Sequence, residues 1–553
     1  MEYKKYISAG FLIVIGQTAV TFAIPSLIKI IIETTQGGQL ADITLPVISV
    51  FILTGILFLL KVLRTVFFAR FSLDFKTREA EKLFKKLFRV KLESISKNGP
   101  TYYTERIYNG LHNMFTLVGD VSIQITTIFI TLVISLVLVW RVNTMFFILF
   151  MVLLPLTYCS YRQLNKTLQS KSEILQEKTA LNFKYIINLL QNFIEIKKLG
   201  SYQKFAALCR KYVDKIQEET NSVNIFAQSM SSLIQALTDM IKYGILIFAI
   251  YLLLIDSIGF SDLIFIEMIL VIYANGLNGL TTININLRDI NAFQKFVHTE
   301  IDNQMEEDTG KRQLKEVKTV SVDIPEFGYT PDKKILDTIN IAFKKGECVG
   351  IVGDSGCGKS TVLNLLIRLY DAQTICINEI PLTEYTLDSL RQHIYVVSQT
   401  PYLFPGTIED NLYIGTDPSQ VNSEALHTAW VQRFMEDFPQ GLSTPIREGA
   451  SNLSGGQKQK IMVLRALLHD PQMIILDEST AEMDGASETQ ILDFLFQKKE
   501  EKIIIIISHR LSTIKKCDTI LVLKEGTLCE SGSLEMLKAA SSEFRRIFES
   551  QIS

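Results

Sequence analysis

Gly353-Asp354-Ser355-Gly356-Cys357-Gly358-Lys359-Ser360-Thr361 decides how the second half of this 553-residue chain folds. It matches G-x-x-x-x-G-K-[ST], which a chain of this size meets by chance on the order of once in a hundred cases. The flanks add to it. Cys348 to Val352 reads as a buried strand and Thr361 to Leu369 as a helix, the strand–loop–helix setting that the pattern needs. Glycines let backbone N–H groups face phosphate oxygens, and the helix N-terminus adds the positive end of its dipole. The motif leads one to expect Lys359 to reach the β- and γ-phosphates of a nucleotide and Ser360 to hold Mg²⁺.

A second element completes the chemistry. Met473-Ile-Ile-Leu476 is a four-residue apolar run that ends in two acids, Asp477 and Glu478. A buried strand carrying two carboxylates at its tip supplies one for the Mg²⁺ shell, through water, and one to orient the attacking water.

The first half is a different material. Hydrophobic residues make up 48% of the chain and charged ones 21%, below the quarter usual for soluble domains, and the excess lies before about residue 290. A membrane helix needs roughly 20 apolar residues. Six stretches qualify, near 7–32, 46–69, 121–140, 143–163, 236–255 and 262–283. The first is too long for a signal peptide and is followed by no small-residue cleavage site. It starts near residue 7, so no leader-removing protease domain is expected ahead of it. Lys and Arg crowd between spans two and three (Lys76 to Lys97) and between spans four and five (Lys166 to Lys198). Glu33 to Leu45 and Asp256 to Ser261 carry none. Positive loops stay inside, so both termini and the second half are expected in the cytoplasm. Ala80 to Ser94 and Ile174 to Ile216 carry apolar residues at helical spacing, which predicts helices running on past the bilayer.

Net charge is −2, against a nucleic-acid partner. The seven scattered cysteines fit no metal site and read as reduced cytosolic thiols. Cys357, beside Lys359 and a helix N-terminus, is expected to favour its thiolate.

Leu453-Ser454-Gly455-Gly456-Gln457 resembles the signature of ATP-binding-cassette (ABC) proteins, 20 residues ahead of Asp477. The resemblance covers nearly the whole chain and implies a half-transporter of the exporter (type IV) fold. That is a membrane α-helical bundle of six transmembrane helices followed by a C-terminal α/β P-loop ATPase domain with a helical subdomain. The expected boundaries are 1–300 for the membrane domain, 301–315 for a linker and 316–553 for the cassette. The resemblance further implies that Gln399 senses the γ-phosphate and Mg²⁺ and that His509 contacts the γ-phosphate. Asp484 would lie on the loop crossing to a partner, Tyr329 would stack on adenine, and the signature would close another subunit's ATP site. Coupling helices are expected at Gly99 to Asn113 and near Leu181 to Leu199. Two departures stand out. The crossing loop reads Ala481-Glu482-Met483-Asp484, and lysines (Lys458, Lys460) replace the arginines that often follow the signature.

The expected activity is ATP hydrolysis that moves a hydrophobic or amphipathic compound, peptide or lipid outward by alternating access. The expected partner is a second half-transporter, identical or not, and the expected location the plasma (bacterial inner) membrane. Two alternatives stay open: import of a metal-siderophore by the same fold, and a regulatory membrane ATPase that transports nothing. Asn275, Asn278 and Thr282 fall on one face of the sixth span and either line the substrate path or bond neighbouring helices. Asp239, Lys242 and Glu267 are further ionisable groups within spans.

Overall fold

The computed structural model describes residues 2–37, 43–116, 122–330, 332–371, 374–415 and 423–552; side chains outside the description include those of 156–166, 281–282 and 284–289. The chain divides into two compact units, Met1–Met305 and Glu306–Ser553.

The first unit is helical. Its elements are α1 (Glu2–Gln36), α2 (Thr44–Leu87), α3 (Leu92–Asn98), α4 (Pro100–Thr116) and α5 (Ser122–Val142). They continue with α6 (Thr144–Gln191), α7 (Phe193–Leu199), α8 (Tyr202–Leu254) and α9 (Phe260–Phe296). Stretches within α1, α2, α5, α8 and α9 are long and apolar enough to cross a membrane. The fourth expected span falls on α6. Its described apolar stretch is Thr144–Pro155, and the side chains beyond it lie outside the described residues. α6 has 48 residues and α8 has 53. At about 1.5 Å per residue they run to roughly 70–80 Å, more than twice a bilayer's hydrocarbon core of about 30 Å.

Local chemistry sets the turns. Asn143 ends the α5–α6 hairpin by accepting from Met145 N at 2.8 Å. Asp256, at φ +56, follows α8 in the left-handed region and starts the short turn into α9. Two apolar clusters hold the bundle. One joins Phe146 and Phe150 of α6 to Ile266, Ile269 and Tyr273 of α9. The other gathers Tyr103 and Ile107 of α4 with Ala180 of α6 and Phe293 of α9. The first expected coupling segment lies mostly on α4, and the second covers the end of α6 and all of α7.

Among its described residues the second unit has a four-stranded sheet, a larger six-stranded sheet and a short two-stranded pair. β1 (Thr319–Phe327) and β2 (Leu336–Lys344) pair antiparallel, followed by β3 (Cys348–Gly353) and α10 (Lys359–Leu366). Then come β4 (Ile375–Ile377), β5 (Ile380–Pro381), α11 (Leu387–His393) and β6 (Ile394–Val397). The region up to residue 469 includes the short pair β7 (Gly406–Thr407) and β8 (Pro445–Ile446), with α12 (Ile408–Leu412), α13 (Ala429–Met435) and α14 (Gly455–His469). β9 (Met473–Asp477), α15 (Gly485–Gln497), β10 (Ile503–Ile507) and α16 (Leu511–Ile514) follow. β11 (Thr519–Lys524), β12 (Thr527–Gly532), α17 (Leu534–Ala540) and α18 (Ser542–Ile552) close the unit.

The larger sheet runs β12-β11-β3-β10-β9-β6. All its pairings are parallel except β11 with β12. Ile503 to Ile507 are all buried, as befits a central parallel strand covered on both faces. Two apolar clusters supply those covers. Val349 and Ile351 of β3 belong to one, Cys348 and Val352 to the other.

Candidate active site

The order β3-β10-β9-β6 sets four loops side by side at the carboxyl ends of parallel strands, where open α/β sheets hold their ligands. β3 leads into the phosphate loop, β9 into Asp477 and Glu478, β10 into Ser508 and His509, and β6 into Gln399.

The loop's backbone depends on glycine. Gly353, Gly356 and Gly358 have φ of +156, +83 and +105. At Gly358 the φ of +105 disfavours any side chain, and a Cβ would also press on the Leu336 side chain, 2.5 Å from its Cδ2. Lys359, only 8% exposed, folds over the loop and donates to Gly353 O at 2.7 Å and Asp354 O at 3.0 Å. The Asp354 carboxylate accepts from Arg546 Nη2. Ser355 and Gly356 are exposed, and Thr361 is buried.

Cys357 does not behave as expected. It is 6% exposed, and burial raises its thiol pKa, with the neighbouring Lys359 charge only partly opposing this. Its Sγ lies 3.9 Å from Lys359 Nζ and fills space under the loop. The expected thiolate is therefore corrected: the dipole and the lysine are present, but desolvation outweighs them.

Ser360 bonds the Asp477 carboxyl, whose pKa is raised, chiefly by burial and next by the Glu478 charge. A cavity of about 440 Å³ opens beside this pair, bounded also by Asn364, Arg391 and Tyr395. A hydroxyl, a carboxylate and the nearby Gln399 amide are hard oxygen donors of the kind Mg²⁺ takes together with phosphate oxygens and water. Among the described residues there is no group of three or more His, Cys, Asp or Glu placed to hold a metal ion.

Glu478 takes both its neighbours. Gln399 Nε2 donates to Oε2 at 2.6 Å, and His509 Nε2 lies 2.7 Å from Oε1. Glu478 sits at φ +48, left-handed backbone that a non-glycine residue enters at a cost of about 1 kcal/mol or more, and its N–H is tied to Ile507 O at 2.9 Å. Gln399, Glu478, His509, Ser360, Asp477 and Lys359 thus form one constellation.

The signature stands apart from it. Ser454 caps α14: its hydroxyl accepts from Gln457 N at 3.2 Å, and Gln457 Oε1 accepts from Ser454 N at 2.9 Å. Leu453 is buried. A Cβ on Gly456 would fall 2.8 Å from Glu482 O, so α14 rests directly on the 481–484 loop. Asp484 caps α15 by accepting from Ser487 N at 2.8 Å and pairs with Lys460 at 2.8 Å, which holds its carboxyl well below the usual range. The lysine departure therefore braces the signature helix against the crossing loop. Among the described residues no hydrogen bond or ion pair joins 453–457 to 353–361. Tyr329 donates to Thr361 Oγ1 at 3.1 Å, and its ring meets Tyr370 and Phe327 edge-on at 4.9 and 5.4 Å.

Sequence reasoning missed Arg546, Gln551, and the Arg510–Glu488 pair at 2.9 Å. No local pattern marks them; they reach the site only through the fold. In the membrane unit, Asn275 is exposed and Asn278 half-buried. Neither side chain bonds another described residue, and the Thr282 side chain lies outside the description. No ion pair joins Asp239, Lys242 and Glu267 among the described residues; the Lys242 ammonium lies 5.6 Å from the centre of the Tyr243 ring.

Known proteins share this organisation. The family described as "ABC transporter" matches residues 336–481, and that described as "ABC transporter transmembrane region" matches residues 7–276. An ATP-dependent lipid A-core flippase of Saccharophagus degradans is 37% identical over 281 residues, 50% of this chain and 48% of its own length. One from Mannheimia succiniciproducens is 28% identical over 495 residues, 85% of this chain and 82% of its own length. The chain therefore spans about half of the first relative and about four fifths of the second. The solved structure of a bacterial Atm1-family ABC exporter with ATP bound superimposes with a TM-score of 0.87 at 26% identity, over 100% of this chain and 98% of that one. With both halves of that architecture in one polypeptide, the chain belongs to the ABC transporters, as a half-transporter of the exporter-type fold.

Proposed function

We propose that the chain binds ATP with Mg²⁺, hydrolyses it together with a second half-transporter, and uses the cycle to move a lipid or other amphipathic compound outward across the membrane. The observation that carries this reading is the convergence of Gln399, Glu478 and His509 beside Asp477, Ser360 and the phosphate loop. The flippase relatives support a lipid-like substrate. Lys359, the loop's N–H groups and Thr361 bind the triphosphate, and Tyr329 flanks the base. Ser360, Asp477 and Gln399 hold Mg²⁺, which neutralises charge on the phosphates. Glu478 polarises the attacking water, and His509 contacts the γ-phosphate. Leu453 to Gln457 and Asp484 face the nucleotide of the partner, as the family resemblance implies.

In this reading the second unit and both termini are cytoplasmic, and the membrane is the plasma or bacterial inner membrane. The cassette is residues 316–553, reached through a linker at 301–315. ATP-dependent accumulation of a fluorescent lipid in inside-out vesicles tests it. Accumulation that disappears with Glu478→Gln supports export. Accumulation only in right-side-out vesicles loaded with ATP overturns it in favour of import.

A further inference from the structure

The last described helix touches the ATP site at two places. α18 is seated by Phe544 and Phe548, both fully buried in the core of the second unit, with rings 4.9 Å apart. Its N-terminus is capped by Ser541, whose hydroxyl accepts from Phe544 N at 2.8 Å. The helix kinks at Phe548 (φ −110, ψ 17).

From this anchored base, Arg546 reaches the Asp354 carboxylate inside the phosphate loop. Its aim is fixed from behind. Glu543 accepts from Arg546 Nε at 2.7 Å and from Lys524 Nζ at 3.0 Å. Past the kink, Gln551 grips the loop that carries His509. Its Nε2 donates to His509 O at 2.9 Å, and its Oε1 accepts from Leu511 N at 2.7 Å. The other flank of that loop is held by Arg510, which donates to Glu488 Oε2 at 2.9 Å and to Ala481 O.

We infer that Arg546 and Gln551 are positioning residues of the ATP site, so that docking of α18 sets both nucleotide affinity and turnover. The inference rests on the ATPase reading above and extends it. Asp354 puts a carboxylate into a loop built to hold a polyanion, and Arg546 neutralises it. Removing Arg546 leaves that charge facing the triphosphate, which weakens binding. Gln551 acts on a different step. A primary amide can donate and accept at once, and here it clamps the backbone between the His509 carbonyl and the Leu511 N–H. His509 meets Glu478 at 2.7 Å, so a loosened loop disturbs the carboxylate that polarises water far more than it disturbs the triphosphate, which the phosphate loop and Lys359 hold independently.

The test is steady-state ATPase of the full chain with Mg·ATP. Gln551→Ala is expected to lower kcat roughly tenfold at unchanged KM, the scale of one or two lost hydrogen bonds. Gln551→Glu keeps only the accepting half and falls between. Arg546→Ala is expected to raise KM about threefold, as for a partly exposed ion pair, with little change in kcat. Adding Asp354→Asn to Arg546→Ala removes the stranded charge and restores KM. Loss of kcat and KM together in both single variants, with no rescue, means α18 only stabilises the fold and overturns the inference. A wild-type chain that hydrolyses ATP alongside unchanged variants overturns the inference alone. A wild-type chain no faster than Glu478→Gln overturns the ATPase reading and this inference with it.

Discussion

His509 Nε2 lies 2.7 Å from Oε1 of Glu478, while Gln399 donates to the other oxygen of the same carboxylate at 2.6 Å. Both oxygens are thus engaged within the chain, and the group that should polarise water is held by its two neighbours. Glu478→Gln keeps the shape and removes the charge. The expected result is a fall in hydrolysis of about 10²- to 10⁴-fold, the usual worth of a general base, with ATP binding retained. ATPase rates beside equilibrium binding of Mg·ATP check it; lost binding would give Glu478 a structural role instead.

Asp477 predicts a pH dependence. Burial and the Glu478 charge raise its pKa above the ordinary value near 3.8. A carboxyl with a raised folded pKa is protonated more readily in the folded chain, so its ionisation weakens the fold as pH rises through that value. The charge offered to Mg²⁺ changes the other way: it disappears as pH falls through the raised pKa. At sub-saturating Mg²⁺, where the metal does not hold the carboxylate ionised, half-loss of Mg²⁺-dependent ATP binding should therefore occur at a higher pH than an ordinary aspartate would give. Asp477→Asn should weaken that binding and flatten the profile. An unshifted profile in the variant would assign the dependence to another group.

The phosphate loop and the Asp477–Glu478 strand were legible because spacing alone fixes their chemistry: glycines for φ values of +83 and +105, and acids at the end of an apolar strand. The γ-phosphate roles of Gln399 and His509 followed from the family resemblance, but the β10-β9-β6 adjacency that brings them to Glu478 has no local signature. Arg546 and Gln551 were invisible for the same reason. The charge of Arg546 meets Asp354 across 192 positions, and only the buried pair Phe544 and Phe548 puts it there. Cys357 shows the opposite failure. Its neighbours were read correctly, but burial is a property of the fold.

Cys357 should accordingly be slow to alkylate. At pH 7 a thiol with a raised pKa has almost no thiolate, and its 6% exposure limits access. Labelling followed by mass spectrometry is expected to modify exposed Cys529 well before Cys357. Equal rates at the two thiols would show that the phosphate loop opens on the timescale of labelling.

Asn275 and Asn278 stand three residues apart on α9. On the same helix, Tyr273 and Leu277 are buried against the bundle core, while Asn275 is exposed and neither amide bonds another described residue. An amide that bonds no neighbouring helix of its own chain is costly to leave against lipid. It is less costly facing a wet path or a polar substrate. Asn275→Ala with Asn278→Ala should therefore leave basal ATPase within about twofold, because surface changes away from the catalytic groups move little. Substrate-stimulated ATPase and transport should fall. Unchanged stimulation and transport would remove both residues from the path. Loss of basal activity together with folding would mean that these amides bond a partner helix instead.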